Sequence, residues 1–269
     1  MNFSKEFAVK PDKKVKLSRY DPDYTAGFKD KSDAEELLQK KIARLDALQN
    51  LLFAERKHAL LVVLQAMDSG GKDGTIRRVM SGVNPQGCKV TSFKVPSAEE
   101  ISHDFLWRVH HAVPARGEIG IFNRSHYEDV LVVRVHELVP RSVWSRRFGQ
   151  INSFEEILAD NNVTILKFFL HISKDEQKKR LRERIEVPEK NWKINPGDFE
   201  ERKLWDNYMG AYEDVLSRCS TQRAPWFVIP ANKKWFRNLA VSAIIVEALE
   251  DLEMKFPPPP CDLSKLILK

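Results

Sequence analysis

Cysteine is scarce in this chain, and the three present, Cys88, Cys219 and Cys261, stand far apart with no C-x-x-C pair. That spacing argues against a disulfide framework and a cysteine zinc site, and reduced structural thiols are expected instead. Long apolar runs are missing as well. None approaches the ~20 residues that cross a bilayer, and the opening MNFSKEFAVKPDKKVKLSRYD contains no apolar segment suited to export. A cytoplasmic protein without membrane attachment is expected. His103, His110 and His111 do not form an H-E-x-x-H pattern, and no G-x-S-x-G elbow occurs, which argues against zinc and serine-nucleophile chemistry. The aromatic residues around Trp107 read as core. No internal repeat is visible, and the only low-complexity run, Pro257 to Pro260, reads as a stiff extended segment.

Charge is what the sequence has in quantity. Lys and Arg number 44 against 38 Asp and Glu, a formal charge of +6. Such an excess favours polyanionic partners: nucleic acid, anionic lipid, nucleotides or inorganic polyphosphate. With 42% apolar residues, the 269-residue chain can bury a sizeable core as one domain over 1–269. Within it, residues 1–55 read as an N-terminal arm and helix and 175–208 as a lid region. The arm, to about residue 30, has little periodicity and is expected to wrap the surface. From Asp33, Leu38, Ile42, Leu45, Leu48 and Leu52 recur at helical spacing and predict a packing helix.

Five short apolar or β-branched runs then read as strands: Leu60 to Leu64, Lys89 to Phe93, Ile119 to Phe122, Thr164 to His171 and Trp226 to Ile229. Stretches of helical character separate them. Strands alternating with helices predict a three-layer α/β/α fold on a parallel sheet, with ligands at the carboxyl ends of the strands.

Three polar segments fall at such ends. LVVLQAMDSGGKDGTI, Leu61 to Ile76, places a glycine turn and a lysine after a buried strand, but departs from G-x-x-x-x-G-K-[ST]: Ala66 stands for the first glycine and Asp73 for the hydroxyl residue. Gly70, Gly71 and Gly74 let the backbone approach an anion, a helix opening near Lys72 aims its amides there, and Lys72 adds a full charge. Carboxylates in such a loop make sense beside a cation, and Asp68 could hold Mg²⁺ in place of the missing hydroxyl. GEIGIFNRSHYEDVLVVRV, Gly117 to Val135, delivers Asn123, Arg124, Glu128 and Asp129 to the same edge if the two strands are neighbours. Metal-holding oxygens and a phosphate-gripping arginine belong there, whereas His126 and Tyr127 are expected to pack. In the third segment, His171 to Tyr208, Lys178, Arg180, Arg182 and Arg184 make basic ridges on a helix before the loop VPEKNWKINPGD; together they read either as a lid over negative charge or as a solvated face.

With these segments in hand the sequence closely resembles the polyphosphate kinase 2 family. The resemblance runs from about Tyr20 to Leu252 and is carried by LQAMDSGGKDGTI, GVNPQG, SFKVPSAEEISHDFLWRVH, IFNRSHYEDVLVVRV and WKINPGD. It implies a P-loop kinase fold similar to thymidylate kinase, with a helical lid, and phosphoryl transfer between inorganic polyphosphate and nucleotides. The family's loop tolerates the departures noted above. Many members carry Asp-Arg-Ser-x-Tyr-Asn-Arg where this chain has Asn123-Arg124-Ser125-His126-Tyr127-Glu128-Asp129. That variant resembles class III, whose members phosphorylate both AMP and ADP, and it implies that the metal is held differently.

The candidate roles follow. Asp68, Lys72, Arg124 and Glu128 are the catalytic candidates. Ser69, Gly70, Gly71, Lys72, Asp73, Gly74 and Thr75 would cradle phosphate, with Arg134, Arg180, Arg184 and Lys193 as further phosphate ligands. Asn84, Phe93, Lys94, Val95, Pro96, Asn123, Arg124 and Glu128 would meet the nucleotide, and Asp68, Asn123 and Glu128 would hold Mg²⁺, with Mn²⁺ as the alternative. The expected partners are inorganic polyphosphate and AMP, ADP and ATP, guanine nucleotides being alternatives, with neither nucleic acid nor membrane. The resemblance further implies a homo-oligomer, dimer or tetramer. An ATP-dependent nucleoside monophosphate kinase and a non-catalytic polyanion binder are the rival readings.

Overall fold

The computed structural model describes residues 1–266. In chain order its elements are α1 (Phe3–Phe7), α2 (Lys31–Glu55), β1 (Ala59–Gln65), α3 (Lys72–Val79), β2 (Cys88–Ser92), α4 (Ala98–Ser102), α5 (Trp107–His110) and β3 (Ile119–Asn123). Then follow α6 (Val132–Val135), α7 (Arg141–Asp160), β4 (Val163–His171), α8 (Lys174–Glu186), α9 (Gly197–Lys203), α10 (Trp205–Arg218), β5 (Trp226–Pro230) and α11 (Lys234–Glu250). The five strands pair in parallel in the order β2-β3-β1-β4-β5. Every residue of β1 is buried, as suits the central strand of a sheet covered on both faces. Helices α2, α3 and α11 pack on one another along one face, and α7 packs on β4 with α6 and α10 beyond it. The result is the three-layer α/β/α arrangement.

Helix α2 starts two residues earlier than its apolar spacing predicts, because the Asp30 side chain caps it by accepting from the amides of Ser32 and Asp33. Leu38, Ile42, Leu45, Leu48 and Leu52 are buried as expected. The N-terminal arm does more than wrap the surface. Phe3, Phe7, Val9, Val15 and Leu17 are buried in the common core. Ala8 forms an antiparallel bridge with Phe227, and the Val9 amide donates to the Trp226 carbonyl at 2.8 Å, so the arm covers the outer edge of β5. Low periodicity hid this, since a segment that contributes isolated apolar side chains has no repeat to detect.

Two smaller expectations need correcting. Trp107 is not core: it is half-buried and stacks on His103, ring centroids 4.2 Å apart, at the surface. All three cysteines are free, but only Cys219 is fully buried; Cys88 is half-buried and Cys261, after the proline run, is exposed.

Candidate active site

The loops after β1 and β3 lie side by side because those strands pair, Leu64 opposite Asn123. The Arg124 amide donates to the Leu64 carbonyl at 3.1 Å. This bond helps hold Arg124 at φ +62°, a left-handed conformation that costs a non-glycine residue about 1–3 kcal/mol. Ser69 in the facing loop is strained in the same way, φ +62°. The two residues therefore bend toward one cavity of about 850 Å³, lined by the glycine loop, Asn123, Arg124 and the segments after β2 and α8. Ten Lys and Arg side chains line it against four Asp and Glu. Such a cavity suits a ligand with several negative charges.

Two glycines are required by the geometry. A Cβ on Gly70 would come within 2.5 Å of the Ala66 Cβ and 2.7 Å of the Met67 carbonyl oxygen. Gly71 has φ +105° and caps α3, whose first amides open toward the cavity. Lys72 Nζ donates to the Ala66 carbonyl at 2.9 Å, so the lysine folds back across its own loop. Burial pushes its pKa below that of a free lysine and Arg124 adds to the push, while Asp68, Glu128 and Asp73 pull the other way. A partly dehydrated ammonium attracts phosphate more strongly than one in bulk water.

Arg124 is the hinge of the acidic groups. Its Nη2 donates to Asp68 Oδ1 at 2.7 Å, and its Nη1 lies 3.8 Å from Glu128 Oε2. Asn123 Nδ2 donates to Asp73 Oδ1 at 2.6 Å, which leaves its carbonyl oxygen for another partner. Among the described residues no three His, Cys, Asp or Glu side chains gather into a metal-holding group. Asp68 lines the cavity, whereas Glu128, on the other side of Arg124, does not; a divalent cation that takes one or two carboxylates and draws its other oxygens from phosphates and water would meet Asp68 there. Burial pushes the Glu128 pKa up, with Arg124 and Lys72 opposing, and pushes Asp129, paired with Arg147 at 2.8 Å, up to about 6.

The remaining sequence candidates divide. Phe93, Lys94 and Val95 line the cavity, as do Arg184 and Lys193. Phe93 is buried with its ring against Phe122, whereas Val95 is 90% exposed. Asn84 caps the turn at Pro85–Gly87 by accepting from Gln86, and neither it nor Pro96 lines the cavity. Thr75 is buried with its hydroxyl donating to the Gly71 carbonyl. Arg134 stands apart, paired with Asp214 at 2.6 Å and lying over the Trp144 ring. Arg180 is not on an open basic ridge: it is buried and donates to the carbonyls of Ser69, Gly70, Ala231 and Asn232. His126 and Tyr127 pack, as expected, both bonded to the buried Glu155.

The sequence reading missed Arg77, Lys190, Lys234, Asp198 and Arg237, which also line the cavity. Gln177 was missed too; its Nε2 donates to the Asp68 carbonyl at 3.0 Å. Lys234 and Arg237 had a legible signal, since both fall in the first turn of the helix after the last strand.

The family model for Polyphosphate kinase 2 matches residues 28–257. The chain belongs to the polyphosphate kinase 2 family. Among curated polyphosphate kinase 2 relatives, the AMP/ADP-polyphosphate phosphotransferase of Meiothermus ruber is 56% identical over 98% of this chain and 100% of its own length. The ADP-polyphosphate phosphotransferase of Rhodopseudomonas palustris is 48% identical over 94% of this chain and 92% of its own. The crystal structure of Polyphosphate Kinase 2 from Arthrobacter aurescens TC1 superposes with a TM-score of 0.95 at 43% identity, covering 98% of this chain and 94% of that one.

Proposed function

We infer that this chain is an enzyme that moves the terminal phosphoryl group of inorganic polyphosphate onto AMP and ADP, making ADP and ATP. The observation that carries the reading is the cavity in which Lys72 and Arg124 meet at a glycine loop amid ten cationic side chains. The likeness to the Meiothermus ruber enzyme over nearly the whole chain supports the choice of nucleotides.

The acceptor's terminal phosphate is already an oxyanion at neutral pH, so the step needs alignment and charge neutralisation more than a strong base. A terminal oxygen of the nucleotide attacks the end phosphorus of the chain. The bridging P–O bond breaks, and its electrons stay on the shortened polyphosphate. Lys72 and the amides opening α3 hold the phosphates at the transfer point, and Arg124 balances the charge spread over the moving group. A divalent cation, Mg²⁺ or Mn²⁺, held by Asp68 with Asn123, would supply further neutralisation. Lys94 and the backbone of Phe93–Val95 receive the nucleotide, and Arg184 and Lys193 face the donor from the lid. Arg180 fixes the loop from beneath. The same reading sets a homo-oligomeric enzyme in the cytoplasm, acting on neither nucleic acid nor membrane; among the described residues no helix is long and apolar enough to cross a bilayer.

The decisive experiment supplies polyphosphate as sole donor to AMP, ADP, GMP and GDP in turn. ADP formed from AMP, and ATP from ADP, is the expected result. Turnover that demands ATP as donor would make the protein a nucleoside monophosphate kinase, and salt-dependent oligonucleotide binding without turnover would make it a polyanion binder. Asn123→Asp sets a second carboxylate against Asp73, and the ratio of AMP to ADP turnover is expected to shift severalfold. An unchanged ratio removes position 123 from acceptor choice.

A further inference from the structure

Helix α8 holds three successive carbonyls of the phosphate loop from one side. Gln177 Nε2 donates to the Asp68 carbonyl at 3.0 Å, and Arg180 Nη1 donates to those of Ser69 at 3.0 Å and Gly70 at 3.1 Å. A trans peptide sets its N–H opposite its C=O, so these bonds turn the amides of Ser69 and Gly71 away from α8. Neither amide meets an acceptor among the described residues, and both residues line the main cavity. The Gly70 amide closes the turn between them by donating to the Met67 carbonyl at 2.9 Å. Two open amides on a fixed backbone are what a transferring phosphoryl group calls for. Ser69, at φ +62°, keeps its strained conformation only because its surroundings over-determine it.

Arg180 is itself held in place. Its Nη2 donates to the carbonyls of Ala231 at 2.6 Å and Asn232 at 3.0 Å, just after β5. Asn232 is fastened on three sides. Its backbone amide donates to the Pro22 carbonyl at 3.1 Å, its Nδ2 donates to Asp23 Oδ2 at 2.8 Å, and its Oδ1 accepts from the Ser173 amide at 3.0 Å. A backbone amide can only donate and a carboxylate at neutral pH only accepts, so the Asn232 side chain has a single orientation. Beside it, His171 Nε2 donates to the Tyr20 carbonyl at 3.1 Å. The arm segment Tyr20–Asp23 is thereby docked on the carboxyl ends of β4 and β5 together.

We propose that Asn232 is a positioning residue for phosphoryl transfer: clamped by Pro22 and Asp23 of the N-terminal arm, it aims Arg180, and through Arg180 the Ser69 and Gly71 amides. This rests on the phosphotransferase reading above. Asn232 does not line the cavity and acts on no phosphate directly. Its contribution therefore appears in kcat, where misplaced donors tell most, rather than in the binding of the nucleotide.

The test compares kcat, KM for ADP and Tm among variants of the clamp. Asn232→Asp keeps an acceptor for Ser173 but sets a second carboxylate against Asp23; kcat is expected to fall about tenfold, with KM for ADP changed less than about twofold. Adding Asp23→Asn exchanges the two partners, so that an amide at position 23 donates to a carboxylate at position 232. The exchanged pair should return kcat to within about threefold of the unaltered protein. Asp23→Ala, at an exposed position, is expected to lower kcat about threefold with Tm within about 2 °C, and Asp23→Asn alone, which still offers an oxygen, should cost less. An unaltered kcat in Asn232→Asp overturns the clamp, as does an exchanged pair no faster than Asn232→Asp. A loss in Asp23→Ala that shows in Tm and not in kcat overturns it too, by making the contact one of the fold. Turnover with ATP as the only donor would defeat the polyphosphate reading, while the same kcat comparison run with ATP would still decide the role of Asn232.

Discussion

Lys72→Met is expected to cut the rate of phosphoryl transfer about a thousandfold while leaving Tm within about 2 °C of the unaltered protein. The lysine sits at the start of α3 with its ammonium folded across the loop, at 2.9 Å from the Ala66 carbonyl. Methionine keeps the length of the side chain and loses the charge, so the loop is still filled but the phosphates lose their nearest cation. Because burial already disfavours the lysine's charged form, removing that charge costs the fold little. Single-turnover kinetics together with a thermal melt check both halves of the expectation. Retained turnover would remove the loop from the mechanism, and a collapsed Tm would show that the lysine serves the fold.

The second large effect lies beneath the site. Lys167, in the middle of β4, has no exposed side-chain surface and donates from Nζ to Glu155 Oε2 at 2.5 Å, the Tyr127 hydroxyl at 3.0 Å and the Cys219 carbonyl at 2.6 Å. Glu155 also accepts from Tyr127 and meets His126 Nε2. Lys167→Met strands the Glu155 carboxylate in the core, which costs about 3–5 kcal/mol. A chain of this size should then melt roughly 10 °C lower. Pairing it with Glu155→Leu removes the stranded charge, and most of the lost Tm should return. A drop of less than about 2 °C in the single variant would show that water or a rotamer change satisfies Glu155. Transfer should also slow, because His126 and Tyr127 anchor the turn that sets Glu128 beside Arg124.

Much of this architecture can be read in the chain itself. Continuous apolar runs such as Leu60 to Leu64 announce strands buried on both faces, and the glycines and Lys72 after them announce an anion loop. Pairing of β1 with β3 was a condition the sequence could only state, and it is what brings Arg124 to Asp68. Period alone could not separate Arg180 from Arg184, since both lie on one ridge of α8, yet one is buried under the loop and the other pairs with Asp198 at 2.6 Å. The buried Lys167 was hidden by its apolar neighbours, and Arg237 by its distance in sequence from the loop it touches. In each case the deciding partner comes from a remote segment.

Arg180 has a mechanical consequence for closure. By tying α8 to the carbonyls of both the phosphate loop and the Ala231–Asn232 turn, it rivets the first half of that helix to the body of the molecule. Further along, Arg184 grips Asp198 and the Lys193 carbonyl, and Asn191 clasps the carbonyls of Arg184 and Ile185. The tip is thus braced as one piece. A lid that swung over bound phosphate would have to pivot past Arg180, and its travelling part would be a short, stiff flap whose base the sheet holds still.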